Sequence, residues 1–375
     1  MQGTAAAYDL AKFAEPHDVL LADSSLDQAI KSADRVNRLV GREVCRPAQV
    51  DALDPIALAK LLQPIDVLLS CVPYWMHPQI AKVAIASHTN MCDLGGNTDI
   101  TRETLAMDAE AKAAGVTLIP DTGLAPGFVN SIGLYLIEQF DEAETIKLYC
   151  GVLPQHPKPP FNYKLAFNVE GLVTEYMHEA VALRDGKIVL LETLAEVEEI
   201  MIEQLGMMEV FNTSGGTSTT PFTLQGRVKN YQYKTIRWPG HCERMRIFRD
   251  FGFWDDKPIE VHGQQVKPRE VFCKVFGDAL KQIEDLDQCV IRGIGIGTKS
   301  GERVQLQVDI YDKQCEKTGF TSMERTTGFS MAIHAAALAN GALPKGCLPY
   351  ESAIPGSVFL DEIKKRGIKV KESRE

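Results

Sequence analysis

A short run, IPDTGLAPGFVNSIG at residues 119–133, separates two kinds of sequence and so limits the folds open to this chain. Its lead-in, Val116, Thr117, Leu118 and Ile119, is apolar and rich in β-branched residues. The run breaks at Pro120, passes Asp121, Gly123, Pro126 and Gly127, and only then becomes helical in pattern. That is how the carboxyl end of a parallel strand opens into a helix N-terminus. In open α/β sheets ligands bind at such strand ends, where helix N–H groups meet anions. Short strands alternate with helices before the run and long β-rich stretches follow it. It is therefore expected to be both the domain junction and part of a site floor.

Ahead of the run the segments alternate as a doubly wound parallel α/β sheet requires. Residues 3–13 read as an Ala-rich helix, and residues 17–23, HDVLLAD, as a strand ending in an acid. An Asp about 20 residues beyond the glycine loop of a dinucleotide-binding unit bonds the adenosine ribose hydroxyls and repels a 2′-phosphate. Gly3 and Asp23 have that spacing, but the preceding strand and the first two glycines of G-x-G-x-x-G are not in the sequence. The residues alone leave two readings open, a cofactor acid or an ordinary strand end. Residues 65–73, IDVLLSCVP, form a strand too apolar to have a wet face. Its end, Ser70, Cys71, Val72 and Pro73, falls where such a sheet lines the nicotinamide side of a cofactor. Asp93 and Gly95 close another strand at the same edge. Strand ends at 70–73, Asp93 and Asp121 thus converge, although Asp and Gly are also ordinary turn formers.

From about residue 144 the pattern changes. Residues 144–154, 164–169, 187–192, 227–238, 259–266, 289–313 and 318–327 are strand-like, with hairpin signals at His262-Gly263 and Lys299-Ser300-Gly301. The GIGIG run at 293–297 leads into a polar turn and another strand, so it reads as part of a hairpin and not as a nucleotide loop. The whole predicts an α/β protein: a doubly wound parallel sheet in residues 1–121, an α+β domain with a mostly antiparallel sheet in 122–326, and a helical segment, 327–375, returning to the first domain.

Charge and cysteine content narrow the function classes. The net charge of -10 disfavours nucleic acid and anionic membrane surfaces as partners, and leaves small-molecule chemistry. Nine cysteines without CxxC spacing read as reduced thiols, and no metal cluster is evident. With no secretory leader and no apolar run of membrane-spanning length, a soluble cytoplasmic protein is expected.

Three polar stretches in the β-rich half suggest a site. Residues 161–176 carry Tyr163, Asn168, Glu170 and Tyr176 near a helix start. Residues 211–220, FNTSGGTSTT, place Thr213, Ser214, Gly215 and Gly216 where backbone N–H groups can meet a carboxylate, unless the stretch is simply a flexible loop. Residues 233–243 carry Arg237 and His241 across a Pro-Gly turn; a lone His in that position is commonly just solvated.

Taken together, MQGTAAAYDLAKF, VLLAD, DLGG, IPDTGLAPGFVN, FNVEGL, TSGGTST and YKTIRWPGH resemble the saccharopine dehydrogenase-like family, nearest its L-lysine 6-dehydrogenase members, over almost the whole chain. The resemblance implies a Rossmann-type domain binding NAD, a central domain for an amino-acid substrate and for homodimer or higher assembly, and a C-terminal helix returning to the first domain. Relatives begin with a strand of the type VLVLGAG, which this sequence lacks. The implied reaction is hydride transfer from the ε-carbon of lysine to nicotinamide, giving 2-aminoadipate 6-semialdehyde and ammonia. The amine must first become neutral, from an ordinary pKa of about 10.4. In that scheme Asp121 and His241 are the acid-base candidates, and Arg237 with residues 213–216 holds the α-carboxylate. Glu170 holds the α-ammonium and Tyr163 lines the pocket. Gly3, Asp23, residues 70–73, Asp93 and Gly95 serve the cofactor. A saccharopine-type or opine reductase, or a non-catalytic binding protein, are the alternatives.

Overall fold

The structure, a computed structural model, describes residues 2–374. Two compact units interleave in the sequence. Residues up to Glu138, Ser218–Thr223 and Cys315–Ile368 form the first; Gln139–Thr217, Leu224–Gln314 and the residues from Lys369 form the second. In chain order the first unit contributes α1 (Gln2–Asp9), β1 (Val19–Asp23), α2 (Leu26–Val40), β2 (Cys45–Gln49), α3 (Pro55–Leu62), β3 (Val67–Ser70), α4 (His77–Ala86), β4 (Asn90–Asp93), α5 (Thr98–Leu105), α6 (Asp108–Ala114), β5 (Thr117–Ile119) and α7 (Val129–Glu138). The second unit follows with β6 (Glu142–Pro154), α8 (Val169–Glu175), β7 (Ala180–Arg184), β8 (Lys187–Leu191), β9 (Glu198–Ile202) and β10 (Gly206–Phe211). After α9 (Thr220–Thr223), which belongs to the first unit, come β11 (Asn230–Arg237), α10 (His241–Asp250), β12 (Ile259–Val261), β13 (Gln264–Val266), α11 (Pro268–Lys281), β14 (Asp287–Lys299) and β15 (Glu302–Lys313). The chain then returns to the first unit with α12 (Ser322–Ala339), β16 (Gly346–Cys347) and α13 (Gly356–Lys365), and ends with β17 (Val370–Arg374) in the second.

The first unit is a parallel α/β layer in two pieces, β1 with β2, and β3, β4, β5 and β16 in the order β16-β5-β4-β3. Its helices follow from local sequence. Asp54 caps α3 by accepting from the N–H groups of Ile56 and Ala57, with Pro55 preset for the first turn. α2 buries Ala29, Ala33 and Val36 at helical spacing and stops at Gly41, whose φ of 73° is one that L side chains avoid. The alanines of α1 let it lie directly on α12: a Cβ on Gly328 would stand 2.8 Å from Ala6 N, so only glycine permits this approach. A buried ion pair holds the other end of α1, with Arg366 Nε 2.7 Å from Asp9 Oδ2 and its terminal nitrogen 2.8 Å from Oδ1.

The second unit is built on a sheet ordered β17-β15-β14-β6-β11-β10-β9, with β7 and β8 joined to it through β11. All its pairings are antiparallel except β6 with β11. The GIGIG run lies inside β14, and a Cβ on Gly297 would come within 2.5 Å of Glu142 O on the neighbouring strand. α8, α10 and α11 bury Tyr176, Met245, Phe272 and Phe276 in one aromatic core with Tyr163, Phe211 and Trp254.

Several elements differ from the sequence reading. Residues 164–169 form no strand; they lead into α8, where Asn168 Oδ1 accepts from Glu170 N at 2.8 Å. Residues 318–327 are largely the start of α12, closed by a capping box in which Thr321 and Glu324 exchange hydrogen bonds. The expected boundary at residue 121 falls inside the first unit, which runs on to Glu138 because α7 packs against α13. Of the tail at 327–375, α12 and α13 belong to the first unit, whereas β17 adds an edge strand to the second. Among the described residues no helix is long and apolar enough to cross a membrane, and no group of His, Cys, Asp and Glu is arranged to hold a metal.

Candidate active site

In the first unit the ends of β1 and β3 open on a cavity of about 1390 Å³, lined by Gly3, Asp23, Ser70, Cys71, Val72 and Pro73 among others. Gly3, in the first turn of α1, stands close to the end of β3; a Cβ there would be 3.4 Å from Cys71 Sγ. Asp23 is exposed at the end of β1, and its Oδ1 accepts from Ser25 N at 2.9 Å. Ser70 is turned inward, its Oγ 3.0 Å from His77 Nδ1. Burial pushes the Cys71 thiol up to about 12, so it is no nucleophile near neutral pH. These residues suit the two ends of a dinucleotide, a carboxylate for ribose hydroxyls and an apolar strand end for a flat ring. Gln2, Gly3 and Thr4, in the first turn of α1, line the same cavity.

Asp93 and Gly95 are at the next strand end, where they organise the backbone. Asp93 Oδ1 accepts from Gly95 N at 2.8 Å and from Asp121 N at 3.1 Å. Asp121 is fully enclosed. Thr101 Oγ1 donates to its Oδ1 at 2.9 Å and Ser218 Oγ to its Oδ2 at 2.5 Å. Burial, reinforced by the charge of Asp93, pushes its carboxyl up to about 8. The residue has φ of 66°, and a Cβ on Gly95 would stand 2.2 Å from Asp121 Oδ1. Glycine at 95 is thus what leaves room for the carboxylate. Nearby in the same unit, Glu351 collects the hydroxyls of Thr219, Thr220 and Thr223.

The second unit has its own centre at the end of β11. Arg237 is buried there. Its Nε donates to Tyr176 Oη at 3.2 Å, one terminal nitrogen to Ile236 O at 3.1 Å, and the other to Glu175 Oε2 at 3.4 Å. Its guanidinium lies 5.1 Å from the centre of the Tyr163 ring. Tyr176 Oη is also 3.1 Å from His241 Nε2. Since the tyrosine oxygen receives Arg237, its own proton goes to the imidazole, and His241 is bonded on its other side to the backbone of Phe161. Burial and the charge of Arg237 push His241 down to about 3, which removes it as a base near neutral pH. It is a neutral acceptor that orients Tyr176. Glu175 is half-buried, and burial pushes its carboxyl up to about 7 against the pull of Arg237.

The remaining residues expected at the site are distributed around this centre. Glu170 is exposed in the first turn of α8, while Glu175 at the other end of that helix reaches Arg237. Thr213 Oγ1 bonds Thr235 Oγ1 at 2.8 Å, and Ser214 spends its N–H on Glu175 O at 2.8 Å and its hydroxyl on Thr174 O. Gly215 has φ of 83°, and a Cβ on Gly216 would overlap the Tyr233 ring at 2.2 Å. The 213–216 stretch therefore works as a clamp on α8 and β11. Ser214 has no backbone donor left for a carboxylate. Glu175 and Ser218 were not singled out from sequence; the second lies two residues beyond the clamp in the same Ser/Thr-rich stretch.

Two family models cover this architecture. Residues 1–119 match the saccharopine dehydrogenase NADP binding domain and residues 123–368 the saccharopine dehydrogenase C-terminal domain. The chain belongs to the saccharopine dehydrogenase family. It is 24% identical over 249 residues to the saccharopine dehydrogenase [NADP(+), L-glutamate-forming] of Saccharomyces cerevisiae, covering 63% of this chain and 54% of that one. To the mitochondrial alpha-aminoadipic semialdehyde synthase of Mus musculus it is 31% identical over 383 residues, covering 83% and 41%. The chain thus spans about half the length, or less, of these curated relatives. The apo saccharopine dehydrogenase (L-Glu forming) structure from Saccharomyces cerevisiae shares the fold, with a TM-score of 0.78, 20% identity and coverage of 100% and 98%. The homospermidine synthase of Legionella pneumophila, solved with NAD, follows at 0.62, with 11% identity and coverage of 96% and 92%. Residues 1–119 are accordingly the family's nicotinamide-cofactor domain, a Rossmann-type sheet, while the match to the C-terminal domain takes in most of the second unit together with α7, α9, α12 and α13 of the first.

Proposed function

We propose that the protein is a nicotinamide-dependent dehydrogenase that transfers hydride from the ε-carbon of L-lysine to NAD, leaving an iminium that water hydrolyses to 2-aminoadipate 6-semialdehyde and ammonia. The Arg237 centre carries this reading. Among the described residues, Arg237 is the one cation bonded within the cluster of Glu175, Tyr176 and His241. One buried guanidinium suits one α-carboxylate, with Glu175 beside it for the α-ammonium. Saccharopine, in which the lysine ε-nitrogen also bears a glutarate with two further carboxylates, needs further cations. Gripping the far end of the substrate directs binding energy to the reacting carbon.

When bound, nicotinamide supplies the hydride acceptor. Asp23 holds the ribose and disfavours a 2′-phosphate, and residues 70–73 line the ring. Tyr163, Tyr176 and His241 fix Arg237 and exclude water from it. Asp121, whose carboxyl titrates near 8, is the proposed acid-base group, reached through the Ser218 hydroxyl. Relatives named for saccharopine support a second reading, in which the same centre binds the lysine-derived part of saccharopine. Steady-state assays with lysine and saccharopine, each with NAD and NADP, separate the two. Turnover of saccharopine without turnover of lysine would overturn the first reading.

A further inference from the structure

Asp121 and Glu351 follow the ends of two paired parallel strands. β16 meets β5 through Gly346 with Thr117 and Cys347 with Leu118, and Leu348 N adds a bond of 2.8 Å to Leu118 O. Asp121 lies three residues beyond Leu118, and Glu351 three beyond Leu348. The turn that carries Glu351, Tyr350–Ser352, is pinned as well, since Tyr350 Oη is 2.6 Å from Ser131 Oγ on α7. A strand of only two residues, β16, thus brings a second carboxylate to the strand end next to that of Asp121.

One segment bridges the two carboxylates. Ser218–Thr223 belongs to the first unit although the chain on either side of it belongs to the second. Side chains attach it there. Ser218 Oγ donates to Asp121 Oδ2 at 2.5 Å, Thr219 and Thr220 donate to Glu351 Oε2 at 3.1 and 3.3 Å, and Thr223 donates to Oε1. The Arg102 guanidinium lies 4.8 Å from the centre of the Phe222 ring. Three hydroxyls take up most of the roughly four acceptor positions of a carboxylate. Ser218 and Asp121 both have left-handed backbones, with φ of 44° and 66°. Residues other than glycine keep that conformation only where surrounding bonds over-determine it. Around Asp121 those bonds come from Thr101 and Asp93; for the segment that carries Ser218 they come from Glu351.

We propose that Glu351 is a positioning residue: by gripping the three threonines it holds the Ser218 hydroxyl against the Asp121 carboxyl, and so tunes the acid-base group without touching it. This rests on the reading of Asp121 as that group. The Ser218 bond favours the charged carboxylate and lowers its pKa, against burial and the charges of Asp93 and Glu351, which raise it. His77 of α4, facing Asp93, and Arg102 of α5, over Phe222, are the charged or titratable groups one step further out. Glu351 therefore acts on Asp121 in two opposed ways, through its charge and through Ser218. A variant that keeps the charge isolates the second.

The test follows the Asp121 carboxyl itself, by carbon-13 NMR titration of the full chain, with its signal assigned by its loss in Asp121→Asn. Thr219→Val with Thr223→Val leaves Glu351 in place but takes one hydroxyl from each of its oxygens. Glu351→Asp keeps the charge and shortens the reach. Each should raise the Asp121 pKa by about one pH unit, the worth of one hydrogen bond to a charged group. Ser218→Ala should give the same rise, and combining it with either variant should add nothing. In kinetics with lysine and NAD the matching limb of the kcat profile should move by the same amount, with KM little changed. No movement of the Asp121 signal in either variant, or a rise that adds in full to that of Ser218→Ala, overturns the proposal. So does a shifted signal with an unmoved kcat profile, which would take Asp121 out of the chemistry. If saccharopine is turned over and lysine is not, the lysine reading fails, while the same shifts read on saccharopine support the positioning role.

Discussion

Replacing Arg237 with alanine should separate substrate binding from catalysis, and the structure sets the size of the effect. A guanidinium has five N–H donors. Three are engaged, by Tyr176, Ile236 and Glu175, which leaves one on each terminal nitrogen. Two donors on two nitrogens match the two oxygens of a carboxylate. At the lower end of the range for hydrogen bonds to charged groups, about 1.5 kcal/mol each, their loss costs about 3 kcal/mol, or roughly a hundredfold in kcat/KM. Because the grip is remote from the reacting carbon, most of the loss should fall on KM. Arg237→Lys should recover only part of it, since an ammonium cannot bond Tyr176 and a bidentate carboxylate together. The assay is steady-state kinetics on lysine and on cadaverine, which lacks the α-carboxylate and should be a poor substrate for the unaltered protein. Arg237→Ala should leave the cadaverine rate nearly unchanged. An equal proportional loss on both amines would show that Arg237 only supports the fold, and the reasoning would fail.

Other expectations are simpler to state. Asp23→Ser should weaken NAD and improve NADP relative to it; equal use of both by the unaltered protein refutes the role of Asp23. The raised pKa of Asp121 means that between about pH 4 and 8 the folded protein holds a proton that the unfolded chain has released. Its stabilising contribution is complete below about 4 and declines, by about 1.4 kcal/mol per pH unit, until about 8. Asp121→Asn should flatten that part of the melting profile and lower kcat, and parallel profiles would contradict the assignment. Asp9→Asn strands the buried Arg366 guanidinium, with Glu362 as its remaining acidic partner, and should cost about 3 kcal/mol, roughly 6–12 °C in melting. Asp9→Asn with Arg366→Met should recover much of this; no recovery would point elsewhere. The second unit is proposed to mediate self-association, so light scattering should give at least twice 41.4 kDa, and a monomer mass at assay concentration would reject that.

What sequence could reveal depended on whether the signal was local. The strand ends at Asp23, Ser70, Asp93 and Asp121 were readable because each closes an apolar run with a polar or turn residue. Arg237 and His241 were readable as a pair because Pro239 and Gly240 turn β11 directly into α10. Glu175 was not. Which of two glutamates on α8 meets the arginine depends on where that helix starts, and the Asn168 cap puts Glu170 in the exposed first turn. Residues 318–327 looked like a strand through their threonines, although Thr321 with Glu324 was a helix-start signal in plain view. The jobs of His241 and Ser214 were hidden for another reason. Burial lowers the imidazole pKa and α8 takes up the Ser214 N–H, and both are consequences of packing.

The interleaving of the two units bears on synthesis. β5 emerges early, but its outer neighbour β16 arrives more than 200 residues later, as do α12 under β4 and the Arg366 partner of Asp9. At about 5–20 residues per second on the ribosome, that delay is on the order of ten to fifty seconds. For that interval the nascent layer has an open edge and an uncovered apolar face, while β6 to β11 of the second sheet are already being delivered. The first unit to begin translation therefore cannot be completed until the chain is almost fully made, and the second waits for β17 as well. Exposed apolar surface and an unpaired strand edge during that interval are the features that make a nascent chain prone to aggregate.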